Sequence, residues 1–134
     1  MTASKAGVRK VQGKKHRATI IFLRGGKILF LRKRNAKWNS PGGRVEEDET
    51  PIKAAYREMA KETGIRLGHV FYISRYKHDN VIHHLFESTI SLPKEPQSRN
   101  EIVECGWFTL QELKGRNVSV SVRRLLKLWM DDAA

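Results

Sequence analysis

Glu58 and Glu62 stand four residues apart in a stretch that reads as a helix, so their carboxylates lie one turn apart on one face. Left alone, two such charges oppose each other. A hard divalent cation between them reverses the sign of that interaction, and oxygen-rich sites of this kind take Mg²⁺ or Mn²⁺. An ion held there neutralises a diphosphate and activates a water for attack on phosphorus. Gly42 and Gly43 precede the helix and let the main chain bend sharply and approach closely. Each piece alone also suits a bland surface: two glutamates on a solvated face, Arg57 paired with Glu49 or Glu58, Pro41-Gly42-Gly43 as a turn. Their joint occurrence is what points to chemistry.

The helix itself has the clearest local signals in the chain. Thr50 suits the N-cap, Pro51 the first helical position, and Gly64 the position just past the end. Its apolar stripe reads as Ile52, Ala55, Tyr56, Met59 and Thr63, facing a sheet. Upstream, Ala18 to Leu23 and Lys27 to Arg32 read as strands joined by a Gly25-Gly26 hairpin turn. Asn39-Ser40-Pro41-Gly42-Gly43 reads as a loop. Val70 to Tyr76 and Val81 to Leu92 read as strands around a His78-Asp79-Asn80 turn, with Ile82, Phe86 and Ile90 on one face. A polar loop from Pro93 to Asn100 leads to a short strand, Val103 to Phe108. Ser119 or Ser121 opens a last helix whose stripe is Val122, Leu125, Leu126 and Trp129. Strands around a central helix, with another helix at the end, predict a mixed α/β (α+β) layered fold.

Composition narrows the function classes. The chain has 134 residues, 26 Lys and Arg against 14 Asp and Glu, and a formal net charge of +12. That length fits one domain with one core, expected over 16–134 behind a flexible basic arm over 1–15. No apolar run approaches the roughly 20 residues that span a bilayer, so no membrane partner is expected. Met1 to Gln12 lacks an apolar stretch, which argues against a secretory signal. Cys105 is the single cysteine, so no disulfide framework or cysteine zinc site can form within the chain, and a reducing cytoplasm is the expected location. From Met1 to Val45 there are 13 Lys or Arg and no acid, before Glu46, Glu47, Asp48 and Glu49 arrive together. Such a field attracts polyanions without specifying one. It suits a solubilising surface, a phosphate pocket or a nucleic acid bound through the basic N-terminal region.

Gly43, Glu49, Arg57-Glu58-Met59, Lys61-Glu62 and Gly64-Ile65 resemble the Nudix box, Gly-x5-Glu-x7-Arg-Glu-U-x-Glu-Glu-x-Gly-U, in which U is aliphatic. Trp38 to Gly43 resembles the approach to that box, and Trp107 to Leu110 with Glu112-Leu113 resembles a late strand and turn of the family. The resemblance implies a MutT-like fold: a mixed sheet between helices, with the box as loop-helix-loop. It implies hydrolysis of nucleoside diphosphates linked to another moiety, with Mg²⁺ or Mn²⁺ as cofactor. Carried onto this chain, Glu58 and Glu62 match metal ligands, and the Gly43 carbonyl matches a backbone ligand. Glu49 and Arg57 match a pair that steadies the helix. Glu101 is the candidate for an additional carboxylate, acting as base or ligand, with Glu104 as its substitute.

Lys61 is the one departure, standing where the pattern has the first Glu of its Glu-Glu pair, normally a central ligand. A protonated lysine offers no lone pair. At an effective dielectric of about 20, a unit charge about 4 Å away interacts by about 4 kcal/mol. Three consequences compete: slow hydrolysis with fewer metals, Lys61 as a fixed cation against the phosphates, or a catalytically silent nucleotide or RNA binder. For the ligand, Arg32, Arg34, Gly42, Gly43, Lys61 and Tyr72 are the candidate contacts, with Tyr76 and Phe86 also weighed as stacking rings. The expected partner is a nucleotide or another small molecule containing a pyrophosphate, bound by a monomer or homodimer.

Overall fold

The computed structural model describes residues 15–89 and 94–133. The N-terminal arm over 1–14 and the strand position assigned to Ile90 lie outside the described residues. Lys15, expected at the end of that arm, instead opens the first strand.

Among the described residues, six strands and three helices follow in the order β1 (Lys15–Arg24), β2 (Lys27–Lys33), β3 (Gly42–Arg44), α1 (Pro51–Thr63), β4 (Phe71–His78), β5 (Val81–Thr89), β6 (Ile102–Phe108), α2 (Leu110–Leu113) and α3 (Val120–Ala133). They form one mixed sheet in the order β4-β5-β1-β2-β6, with β3 paired to β1. Of these strand pairs β1 and β5 run parallel, and the others are antiparallel. Gly25 and Gly26 turn the β1–β2 hairpin with φ of 54° and 78°, and Asp79 and Asn80 turn β4–β5 with 52° and 62°. Both pairs have the left-handed backbone that a tight two-residue hairpin requires.

The central strand β1 is apolar on both faces because a helix covers each. Ala18, Ile20 and Phe22 pack with Ala54, Ala55 and Met59 of α1. Ile21 packs with Phe30, Leu85 and the Val122, Leu125 and Leu126 stripe of α3. The result is the expected sheet between helices. No helix among the described residues is long and apolar enough to cross a membrane.

The hairpin strands β1 and β2 pair only at Leu23↔Ile28 and Arg24↔Lys27, then splay apart. The segment before α1 fills the wedge. Ile20 N donates to Pro41 O at 2.9 Å, and Leu31 and Asn39 exchange main-chain bonds of 2.8 Å. Thr19, Ala18 and Arg17 pair with Gly42, Gly43 and Arg44. Gly42 and Gly43, expected in a loop, are therefore sheet residues. Orphaned main-chain groups of the splayed strands explain the difference: buried N–H and C=O need partners, and this segment supplies them.

The α1 termini match expectation. Thr50 Oγ1 accepts from Lys53 N at 3.3 Å, and Gly64, at φ 75°, donates its N–H to Ala60 O. The stripe is rotated from the expected one. Tyr56 is 37% exposed and donates its hydroxyl to Gly68 O, while Ala54, Glu58 and Glu62 are buried. Hydrophobicity alone missed this because two carboxylates occupy part of the buried face. Ser119, rather than Ser121, caps α3, its Oγ accepting from Val122 N at 3.3 Å.

Candidate active site

The wedge between β1 and β2 delivers two glycines to the two glutamates. Gly42 N donates to Glu62 Oε1 at 3.0 Å. Gly42 has φ 147°, and a Cβ there would overlap the Ala18 carbonyl oxygen. A Cβ on Gly43 would overlap the Glu58 carboxylate. Both positions need glycine for reach, and Gly42 also for conformation.

Arg57 organises the entrance to α1. Its Nε and Nη2 donate to the two oxygens of Glu49 at 2.7 and 2.9 Å, Nη1 donates to Glu58 Oε2 at 2.7 Å, and Nη2 also reaches Arg44 O. Glu49 Oε1 in turn accepts from Glu46 N at 2.9 Å, closing the loop before the helix. The Arg57 hydrogen bonds hold the Glu49 carboxyl below its ordinary pKa, and the Arg57 guanidinium is raised mainly by its bond to Glu49. Glu62 behaves oppositely. Burial pushes its carboxyl up to about 7 against the Gly42 amide, with the charges of Glu58 and Glu101 adding to the rise.

The candidate metal donors are thus placed together but heavily committed. One oxygen of Glu58 is held by Arg57 and one of Glu62 by Gly42. Glu101 is exposed yet near enough to act on Glu62 electrostatically, and Glu104 pairs with Arg32 at 2.9 Å. Lys61 is exposed in the last turn of α1, its carbonyl accepting from Asn100 Nδ2. Among the described residues no three His, Cys, Asp or Glu side chains gather so as to hold a metal ion. The residues present do not fit the carboxylate-rich centre that the sequence pattern implies, in which position 61, here an exposed lysine, is a glutamate.

Two adjoining cavities share Arg17, Lys33, Asn39 and Ser40 as walls. The smaller, about 90 Å³, reaches Gly42 and Glu62. The larger, about 320 Å³, opens on the α3 side of the sheet toward Tyr76, His83 and Ser121. Arg17 and Lys33 have no ion-pair partner among the described residues. Ser40 is 9% exposed, and its buried Oγ has no hydrogen-bond partner among the described residues. Tyr76 and His83 stack at 4.8 Å. Burial, with the Arg17 charge behind it, pushes His83 below its ordinary pKa.

The candidate ligand contacts divide accordingly. Gly42 borders the smaller cavity, and Gly43 lies behind it against Glu58. Arg32 is drawn to Glu104 and Trp38, and Arg34 is exposed beyond the end of β2. Tyr72 projects to the α1 side, where its hydroxyl meets His84 Nδ1 at 3.1 Å and its ring meets Phe86 edge-on. His84 Nε2 meets His16 Nδ1 at 2.8 Å, completing a buried polar chain. Phe86 is fully buried core. Arg17, Ser40, His83 and Ser121 were not legible as ligand contacts. Arg17 merges with a long basic run, and the splay that brings Ser40 to the cavity wall has no sequence signal of its own.

A NUDIX domain model matches residues 14–128. A MutT-like protein of Streptomyces ambofaciens is 32% identical over 112 residues, covering 81% of this chain and 72% of that one. An RNA pyrophosphohydrolase of Xanthomonas axonopodis pv. citri is 30% identical over 104 residues, and the match spans only 44% of that protein's length. The crystal structure of a MutT NUDIX hydrolase from Burkholderia pseudomallei superposes with a TM-score of 0.77, covering 87% of this chain and 98% of that one. At 22% identity that last likeness is one of fold. The matched span takes in the wedge, the capped helix and both walls of the cleft, and so this chain belongs to the Nudix (MutT-like) hydrolase family.

Proposed function

We propose that the chain is a Nudix-fold binder of a nucleotide, or of another small molecule containing a pyrophosphate, whose metal-dependent hydrolysis is weak or absent because Lys61 replaces a metal-ligating glutamate. The observation that carries this reading is the pair of joined cavities. Arg17 and Lys33, without an ion-pair partner among the described residues, and the Ser40 hydroxyl, without a hydrogen-bond partner among them, stand at their junction. Cations and hydroxyl donors at one point suit phosphate oxygens. The larger cavity is of nucleoside size, at the lower end of the range for small-molecule sites. With a thiol at Cys105 and no partner cysteine, the proposed location is a reducing cytoplasm.

A second reading, slow hydrolysis of the pyrophosphate bond with Mg²⁺ or Mn²⁺, is favoured by the burial of Glu58 and Glu62, by the place of Glu62 on the wall of the smaller cavity, and by the nearness of Glu101. The two readings share the ligand and differ in turnover.

Calorimetric titration of the full chain with nucleoside triphosphates tests the binding claim. Micromolar affinity is expected, weakened roughly tenfold or more in Arg17→Ala with Lys33→Ala. Absence of binding to every nucleotide class, or affinity unchanged by that double substitution, overturns it.

A further inference from the structure

Away from the cleft, an open groove of about 300 Å³ runs between α2 and α3, floored by Leu110, Leu113, Leu126 and Met130. Leu113 and Leu126 are buried, but Leu110 and Met130 are 37% and 49% exposed. Aliphatic surface grouped in a concavity marks a contact site more than scattered exposure does. Lys114, Arg123 and Lys127 stand at its rim, with Asp131 the one acid in the lining among the described residues. None of these cations has an ion-pair partner among the described residues.

We propose that this groove docks an acidic amphipathic helix of a partner protein. Aliphatic side chains at i, i+3 or i+4, and i+7 of that helix would fill the floor, and its carboxylates would meet the rim. Charge selects this occupant over the others at hand. A second copy of the chain brings a net charge of +12 and the same basic rim. Residues 1–14 carry Lys5, Arg9, Lys10 and Lys14 and no acid. A nucleic-acid strand suits the cations, yet no aromatic side chain lines the groove for a base to stack on. Apolar floor and basic rim together match a segment with the opposite charge and the same apolar stripe.

The test titrates the isotope-labelled full chain with a synthetic helical peptide of Leu and Glu in amphipathic register. A scrambled peptide of the same composition and an oligouridylate RNA run beside it. Saturable amide shifts confined to α2 and the α3 residues of the groove are expected, with affinity at least about fivefold above the scrambled peptide. Met130→Glu and Lys127→Glu, both at exposed positions, should each weaken binding severalfold without changing the melting temperature or nucleotide affinity. Equal binding of the scrambled peptide, shifts elsewhere, or stronger shifts of the same residues with RNA would overturn the proposal. So would self-association through this face in sedimentation, reversed by Met130→Glu.

Discussion

The Gly42 amide donates to Glu62 Oε1 at 3.0 Å, tying the strand wedged between β1 and β2 to the last turn of α1. One main-chain bond thereby fixes a carboxylate that burial would otherwise leave without a partner. Any side chain at position 42 must displace the Ala18 carbonyl oxygen, which the β1 ladder holds in place. Gly42→Ala is expected to lose at least about 2 kcal/mol of stability, read by chemical denaturation. Gly43→Ala meets the end of the Glu58 side chain instead, so its loss should be the smaller of the two.

Arg57 joins Glu49 and Glu58, two acids from different segments. Arg57→Ala takes the Arg57 donors from both carboxylates, leaving Glu49 only the Glu46 amide, and frees Arg44 O, with an expected loss of roughly 2 kcal/mol in denaturant unfolding. Arg57→Lys should recover little of it. A lysine ammonium cannot reproduce the two-pronged contact with Glu49.

His84 gives stability a pH dependence. Burial pushes its pKa from 6.5 to about 4, and the neighbouring His16 and Arg75 charges act in the same direction. The unfolded chain therefore binds a proton between those values that the folded chain refuses. Stability contributed by neutral His84 is whole above about pH 6.5 and declines as pH falls toward 4, by roughly 3 kcal/mol in all. Unfolding free energies at pH 7 and pH 4.5 should differ less in His84→Gln than in the natural chain. An equal difference in the two proteins would rule out His84 as the source.

Tyr76 and Tyr72 separate the two faces of the sheet. Tyr76 lines the larger cavity, whereas Tyr72 bonds to His84 on the α1 side. Tyr76→Ala should weaken nucleotide binding roughly fivefold or more, the scale of a lost stacking surface. Tyr72→Phe should leave nucleotide affinity unchanged and lower stability by about 1 kcal/mol, the cost of one lost hydrogen bond. Fluorescence titration and thermal melting read the two effects.

Much of the fold was written locally. Thr50, Pro51 and Gly64 fix the ends of α1 by chemistry confined to one or two residues, and Gly25-Gly26 does the same for the first hairpin. The splay of β1 from β2 was not legible, because it arises from long-range pairing of Asn39 to Arg44 with both strands. The rotation of α1 follows from it. Tyr56 gives up its expected place so that Glu58 and Glu62 can face the wedge. In the candidate site, the spacing of Glu49, Arg57, Glu58 and Glu62 read directly. The cleft did not, since Arg17, Ser40 and His83 come from three distant strands or loops and share no pattern.

Release of phosphate from a panel of nucleotides with Mg²⁺ or Mn²⁺, measured for the natural chain beside Lys61→Glu, bears most directly on the missing carboxylate. Lys61 is exposed, so the substitution should leave the fold intact. Turnover in Lys61→Glu at least roughly tenfold above that of the natural chain, and abolished again by adding Glu62→Gln, is the predicted result. Turnover in the natural chain equal to or above that of Lys61→Glu would contradict the account.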